Sequence, residues 1–363
     1  MPAQFNPYEL WETRTALGAM RAVKPETWQF GQFFTRQVTT ESEWIDFEKL
    51  PVPSRRLAAF VKPMGRGTSV YNDTSRSLRF KPANIVVEEH IDPLRLLSTA
   101  PGIDSMLDPV TLSPMQRRNL LRVAMTEQAL NAIERRWEWM RARAIIDGAV
   151  TVRYEDGQTV VVDFGRSAGH TETLTSGNRF GDSGVTFLGK IQTVIDTMTD
   201  AEFGGVPTKI IMGGSVWSVI KNDTALLKAM EFEAQRSDID IERGLIANTG
   251  KVFVVGTISV GGSSGQRIEL WVNNETYVDN SGTTQRYLGA KDMVLCANPE
   301  AIMGMQVFGR IVDMDAEFRA LPIFPKNFFK GDRVKTEHMS FESAPLMVPI
   351  NPDATYTIKS AVA

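Results

Sequence analysis

The chain has 363 residues, 42% of them apolar and 23% charged, which excludes a disordered or fibrous protein and leaves room for one large or two smaller domains. Its 40 basic and 43 acidic residues give a formal net charge of -3, so any nucleic-acid contact must come from local patches. The single cysteine, Cys296, excludes an intrachain disulfide, and no run reaches the length of a membrane span.

Met1 to Arg14 carry Glu9, Glu12 and Pro7 and lack the apolar core of a signal peptide, so synthesis inside the cell is expected. Residues 1–49 then scatter aromatics without period: Phe5, Tyr8, Trp11, Trp28, Phe30, Phe33, Phe34, Trp44 and Phe47. Such a segment is too apolar to stay solvated and too irregular to fold alone. It reads as an arm whose rings anchor on another body, a second subunit being the preferred host.

In residues 54–82 seven cations, Arg55, Arg56, Lys62, Arg66, Arg76, Arg79 and Lys81, stand against the single acid Asp73. Pro63, Gly65 and Gly67 interrupt two apolar stretches, Leu57 to Val61 and Leu78 with Phe80. The pattern predicts a long two-stranded hairpin that needs a surface to lie on. Its one-sided charge favours an acidic partner over a solvated basic loop.

Residues 113–148 carry the clearest helix. Ser113, Pro114 and Gln116 form a start signal and Gly148 a stop. Leu121, Ala124, Met125, Ala129, Ala132, Ile133, Trp137, Met140 and Ala144 recur at spacings of three and four, one apolar stripe along a rod of roughly 50 Å. Arg117, Arg118, Arg122, Arg135, Arg136, Arg141 and Arg143 lie mostly off the stripe and predict a charged outer face, solvated or facing DNA.

A hairpin is expected next, with Val150, Val152 and Tyr154 alternating, Asp156 and Gly157 turning, and Thr159 to Val162 returning. Residues 165–183 read as a boundary. Helices at Val185–Met198 and Val216–Met230 then alternate with strands at Lys209–Met212, Lys251–Val255, Ile268–Val272 and Asp292–Cys296, a mixed α/β block. Residues 301–363 are strand-like, and Tyr356, Ile358 and Val362 alternate with Thr357, Lys359 and Ala361 as in a half-buried terminal strand.

Sites for chemistry fail one by one. Gly184 to Lys190 fits the outline of a phosphate loop, but Ile191 stands where a magnesium-holding Ser or Thr is needed. Gly261 to Gly265 outlines a nucleophile elbow but is flanked by strands on both sides. His90, His170 and His338 have no second histidine or cysteine at ligand spacing. Glu88 and Glu89 read as a solvated strand end, and Cys296 as a core residue. No catalytic, cofactor or metal residue is assigned.

The C-terminal third carries a resemblance. Phe324-Pro-Lys-Asn327, Gly331-Asp332, Met339 to Met347 and Asn351-Pro-Asp353 resemble, in order and spacing, the end of the lambda-type major capsid proteins of tailed phages. Asp163-Phe-Gly-Arg166 is similar to the same family, as is the order of elements along nearly the whole chain. The resemblance implies an α+β, Hong Kong 97-type capsid fold: residues 1–49 an N-terminal arm, 50–85 an extended loop, 86–165 a peripheral domain with a spine helix at 114–147, 166–300 an axial domain, and 301–363 a return to the peripheral domain. It further implies self-assembly as pentamers and hexamers into an icosahedral head around double-stranded DNA, in a virion assembled in the host cytoplasm.

The expected partners are therefore other copies of the chain, a trimeric decoration protein, the portal and scaffold, and DNA held without sequence preference; no membrane is expected. The loop residues expected to touch neighbours are Arg55, Arg56, Leu57, Phe60, Arg66, Arg76, Leu78, Arg79 and Phe80. A Lys–Asn crosslink from Lys62 to Asn327 or Asn351 is not expected. The competing readings are an encapsulin-like compartment shell of the same fold and a soluble two-domain hydrolase.

Overall fold

The computed structural model describes residues 28–42, 44–48, 77–91, 114–154, 157–223, 251–260, 266–331 and 335–363, with single positions near 16–20 and 225–226. A 3-10 turn at Phe30–Phe33 leads into strands β1 (Arg36–Thr39) and β2 (Ile45–Glu48), followed by β3 (Ser77–Phe80) and β4 (Ile85–Ile91). Helix α1 runs from Pro114 to Ile146, within one residue of the sequence expectation; Ser113 lies outside the described residues. The hairpin β5 (Ala149–Arg153) and β6 (Thr159–Asp163) follows as expected.

The middle block holds β7 (Thr171–Thr173), α2 (Phe187–Asp200), β8 (Pro207–Met212), α3 (Gly214–Ile220), β9 (Val252–Val260), β10 (Gln266–Asn273), β11 (Thr276–Val278), β12 (Thr284–Arg286) and β13 (Met293–Ala297). The turn at 261–265 and Met230 lie outside the described residues. A one-turn helix α4 (Pro299–Ile302) precedes β14 (Gly304–Phe308), β15 (Phe324–Lys330), β16 (Thr336–Ser343), β17 (Pro345–Pro349) and β18 (Thr355–Lys359).

Among the described residues the strands form two three-stranded sheets (β1-β14-β17 and β15-β16-β4), a six-stranded sheet (β7-β18-β13-β8-β10-β9) and three two-stranded pairs. Helix α1 packs against β17, β4, β5 and β18, which gives the rod-on-sheet layout expected from its stripe. Met125, Ala129, Ile133, Trp137, Met140 and Ala144 are buried, whereas Ala124 and Ala132 point to solvent.

Two expectations are corrected by the sheets. The 301–363 stretch divides: β14 to β17 join β1 and β4, but β18 enters the six-stranded sheet between β7 and β13. With a neighbour on each edge and a face against α1, β18 is buried from Thr355 to Ile358 rather than half-buried, and the Thr357 hydroxyl is satisfied by the Ile146 carbonyl at 2.6 Å. The loop's return strand is β3; its expected partner, Leu57 to Val61, lies outside the described residues. β3 runs antiparallel to β2, Phe80 opposite Ile45, so the base of the loop reaches back into residues assigned to the arm.

A third correction concerns the aromatics. Phe30, Phe33 and Phe34 are 0–1% exposed within their own chain, part of the main core beside α1. These three rings thus have a host in the same chain. Gly304 makes this seat possible, because a Cβ there would meet the Phe33 carbonyl oxygen at 2.2 Å. Phe33→Ala is expected to cost about 3–5 kcal/mol in urea unfolding; a loss under 1 kcal/mol would show that the turn is not part of the folding core.

Candidate assembly surfaces

The motif Asp163-Phe-Gly-Arg166 closes the C-terminal end of α1. Gly148, at φ +67°, ends the helix, and Phe164 N–H donates to its carbonyl at 3.1 Å. Asp163 accepts the Gly165 N–H, turning the chain so that the Arg166 guanidinium donates to the Ile145 and Ile146 carbonyls at 2.8 and 2.7 Å. Those are orphan acceptors of the last helical turn. The same guanidinium reaches the Thr171, Thr355 and Thr357 hydroxyls, on β7 and β18. Burial lowers its pKa against the pull of Asp147 and Asp353. Asp353, from the second recognised motif, accepts both the N–H and hydroxyl of Ser167 at 2.7 and 2.9 Å.

The other end of the rod is clamped by one carboxylate. Arg118 and Arg122 both donate to Glu337 on β16, at 2.7 and 2.8 Å, and all three side chains are buried. Arg141 is buried as well, between Glu138 and Gln306. The expected solvated arginine face is therefore corrected: three of its seven members fasten α1 to the sheets. The spacing of 118 and 122 places both on one helix face, but their acceptor lies far away in sequence.

The arm seat joins several elements. Phe30 N–H donates to Glu138 at 2.7 Å, and Gln306 donates to the Phe34 carbonyl at 2.7 Å. Gln29 accepts from Asn273 at the end of β10, and Gln32 accepts from Lys209 on β8.

Three outward-facing features stand out among the described residues. The β5–β6 hairpin exposes Tyr154, Val160 and Val161, on a two-stranded unit that is marginal by itself. Strand β1 is exposed along its length at a sheet edge, including Val38. The loop 310–320 is closed at its base by an Arg310–Ala320 bridge and filled by a small core of Ile311, Ala316 and Phe324. Lys326 braces it, pairing with Asp313 at 2.8 Å and Asp315 at 2.7 Å; Asp313 is the larger cause of its raised pKa. This loop still presents Val312, Met314 and Phe318 to solvent, Met314 at 85%.

Of the predicted loop residues, Arg55, Arg56, Leu57, Phe60, Arg66 and Arg76 lie outside the described residues, as does Lys62. Leu78, Arg79 and Phe80 belong to β3, opposite Phe47, Asp46 and Ile45. Sequence spacing missed a histidine pair: β4 and β16 bring His90 directly opposite His338, rings stacked at 5.7 Å, and His338 Nδ1 lies 2.7 Å from Glu88. Glu88, read as a solvated strand end, also pairs with Lys330, the leading cause of its lowered pKa. Cys296 is buried in β13, and burial pushes its thiol far above the usual range. Lys190 pairs with Glu172 from α2, and the glycine-rich stretch before it is a helix entry.

A family profile described as phage major capsid protein E matches residues 13–360. The chain belongs to that family. It is 25% identical to the major capsid protein of Escherichia phage N15 and 24% identical to that of Escherichia phage lambda, each over 94% of this chain and 97% of the relative. The fold agrees with the crystal structure of a prophage capsid protein from E. coli CFT073, with a TM-score of 0.69 and 20% identity over 96% of this chain and 99% of the other. The architecture is thus the Hong Kong 97-type capsid fold expected from the motifs.

Proposed function

We propose that this major capsid protein closes into pentamers and hexamers that build the icosahedral head of a tailed phage around double-stranded DNA. The observation that carries this reading is the family match across 13–360, on a core whose helix is fastened to its sheets at both ends. A rigid rod-and-sheet body suits head-to-tail contacts that close by rotation. The extended loop 50–85 then lies on an adjacent copy, with Leu57 and Phe60 burying apolar area and Arg55, Arg56, Arg66 and Arg76 aligning it on acidic groups. Exposed ion pairs contribute only about 0–1 kcal/mol each, so shell stability comes from many such contacts acting together.

A trimeric decoration protein, a portal, a scaffold and loosely held DNA are the further partners of this reading, which places assembly in the host cytoplasm. The near-neutral charge supports weak DNA contact, as a container requires. Reversing Arg55, Arg66 and Arg76 to Glu together is expected to lower particle yield by tenfold or more, while circular dichroism of the subunit stays unchanged. Wild-type yield at physiological salt would remove the electrostatic part of the reading.

A further inference from the structure

Glu138 lies in the C-terminal half of α1 and is fully buried, yet it receives few compensating charges. Its Oε1 accepts the Phe30 N–H at 2.7 Å, at the start of the arm's 3-10 turn. Its Oε2 is 3.3 Å from Arg141, whose guanidinium is shared with Gln306 at 2.9 Å. Facing it from the β10–β11 turn is a second buried carboxylate, Glu275, and from the segment after β12 the phenol of Tyr287, whose pKa is raised chiefly by burial and then by Glu138 and Glu275. Glu138 thus has one divided guanidinium as its counter-charge and a second carboxylate in its field, under the segment that ties α1, β8, β10 and β14 together.

We propose that seating of the 28–34 segment on the spine helix is proton-linked through Glu138, held while this carboxyl is protonated and loosened when it ionises.

The physical cause is desolvation. A charged carboxylate with no water around it is costly unless its lone pairs and charge are fully met, and here a neighbouring carboxylate opposes it. Burial, with Glu275 adding to it against Arg141 and the Phe30 N–H, pushes Glu138 up to about 7. In an unseated segment water reaches the group and its pKa returns toward the ordinary value of 4.5. The seated state therefore binds the proton more tightly. Its advantage is full below about pH 4.5 and is lost as pH rises through about 7. The opening constant of the segment is expected to grow about tenfold between pH 6 and pH 8. Because Gln29, Gln32 and Gln306 bond the same segment to the six-stranded sheet and to the β1-β14-β17 sheet, loosening releases a tie between them.

Amide hydrogen exchange of the intact protein tests this, read by mass spectrometry on peptides covering 28–34 and, as an internal reference, 187–200. After correction for intrinsic exchange, wild type is expected to lose about tenfold protection in 28–34 from pH 6 to 8, with 187–200 unchanged. Glu138→Gln keeps the hydrogen-bond acceptor and removes the charge, so its protection should be flat with pH. Should that variant not fold, Glu275→Gln provides the reading: with the opposing carboxylate gone, the transition moves to lower pH. An equal slope in wild type and Glu138→Gln, no slope in wild type, or an unmoved transition in Glu275→Gln would overturn the proposal.

Discussion

Replacing Glu337 with alanine is expected to lower the stability of the folded subunit by about 3–5 kcal/mol, the cost of removing the carboxylate that two buried guanidiniums share. Arg118 and Arg122 converge on this one side chain, each within 3 Å and each nearly free of solvent. Removing it puts like charges side by side on one helix face. The first two turns of α1 should then loosen from β16, where Met115, Leu120 and Val123 are exposed. Urea unfolding of the soluble fraction gives the magnitude, and hydrogen exchange of 115–123 gives the place. A triple change of Arg118→Met, Arg122→Met and Glu337→Leu should recover most of the loss, because apolar groups of similar volume do not need counter-charges. If the single Glu337→Ala change costs less than 1 kcal/mol, the clamp is not what holds this end of the rod.

Arg166→Met should cost about 3 kcal/mol, through loss of charge-assisted hydrogen bonds to two helix-end carbonyls and to hydroxyls on two strands. Met keeps the aliphatic stem but supplies no donor. Arg166→Lys should recover only part of the loss, since an ammonium cannot serve both carbonyls and β18 in one plane. The local signature is faster exchange of the last turn of α1 and of β18, with α2 unaffected. Equal stability of the Lys and Arg forms would show that charge alone, and not the planar fork, closes the helix.

The fold was largely legible where pattern is local. The stripe from Met125 to Ala144 placed α1 to within a residue, and alternation at Val150 to Val162 placed the hairpin. What failed was burial set by distant partners. Thr357 looks like the wet face of a strand, but β18 lies between β13 and β7, and its hydroxyl is met inside by the Ile146 carbonyl. The arginines of α1 look solvated because Glu337 and Gln306 are some 165 to 219 residues away. Phe30, Phe33 and Phe34 looked homeless because their host is a composite of α1, α4 and β14, which no local period reveals. His90 and His338 likewise meet only through the register of β4 with β16. The recognised motifs, by contrast, turn out to be the joints: Arg166 and Asp353 sit where helix, hairpin and central sheet meet.

Electron microscopy of the purified chain, produced with and without its phage partners, bears most directly on the central claim. Closed shells, or rings of five and six subunits with a spine rod in each, are the expected images. A uniform population of 40 kDa monomers at every concentration, with no rings or shells in either preparation, would contradict it.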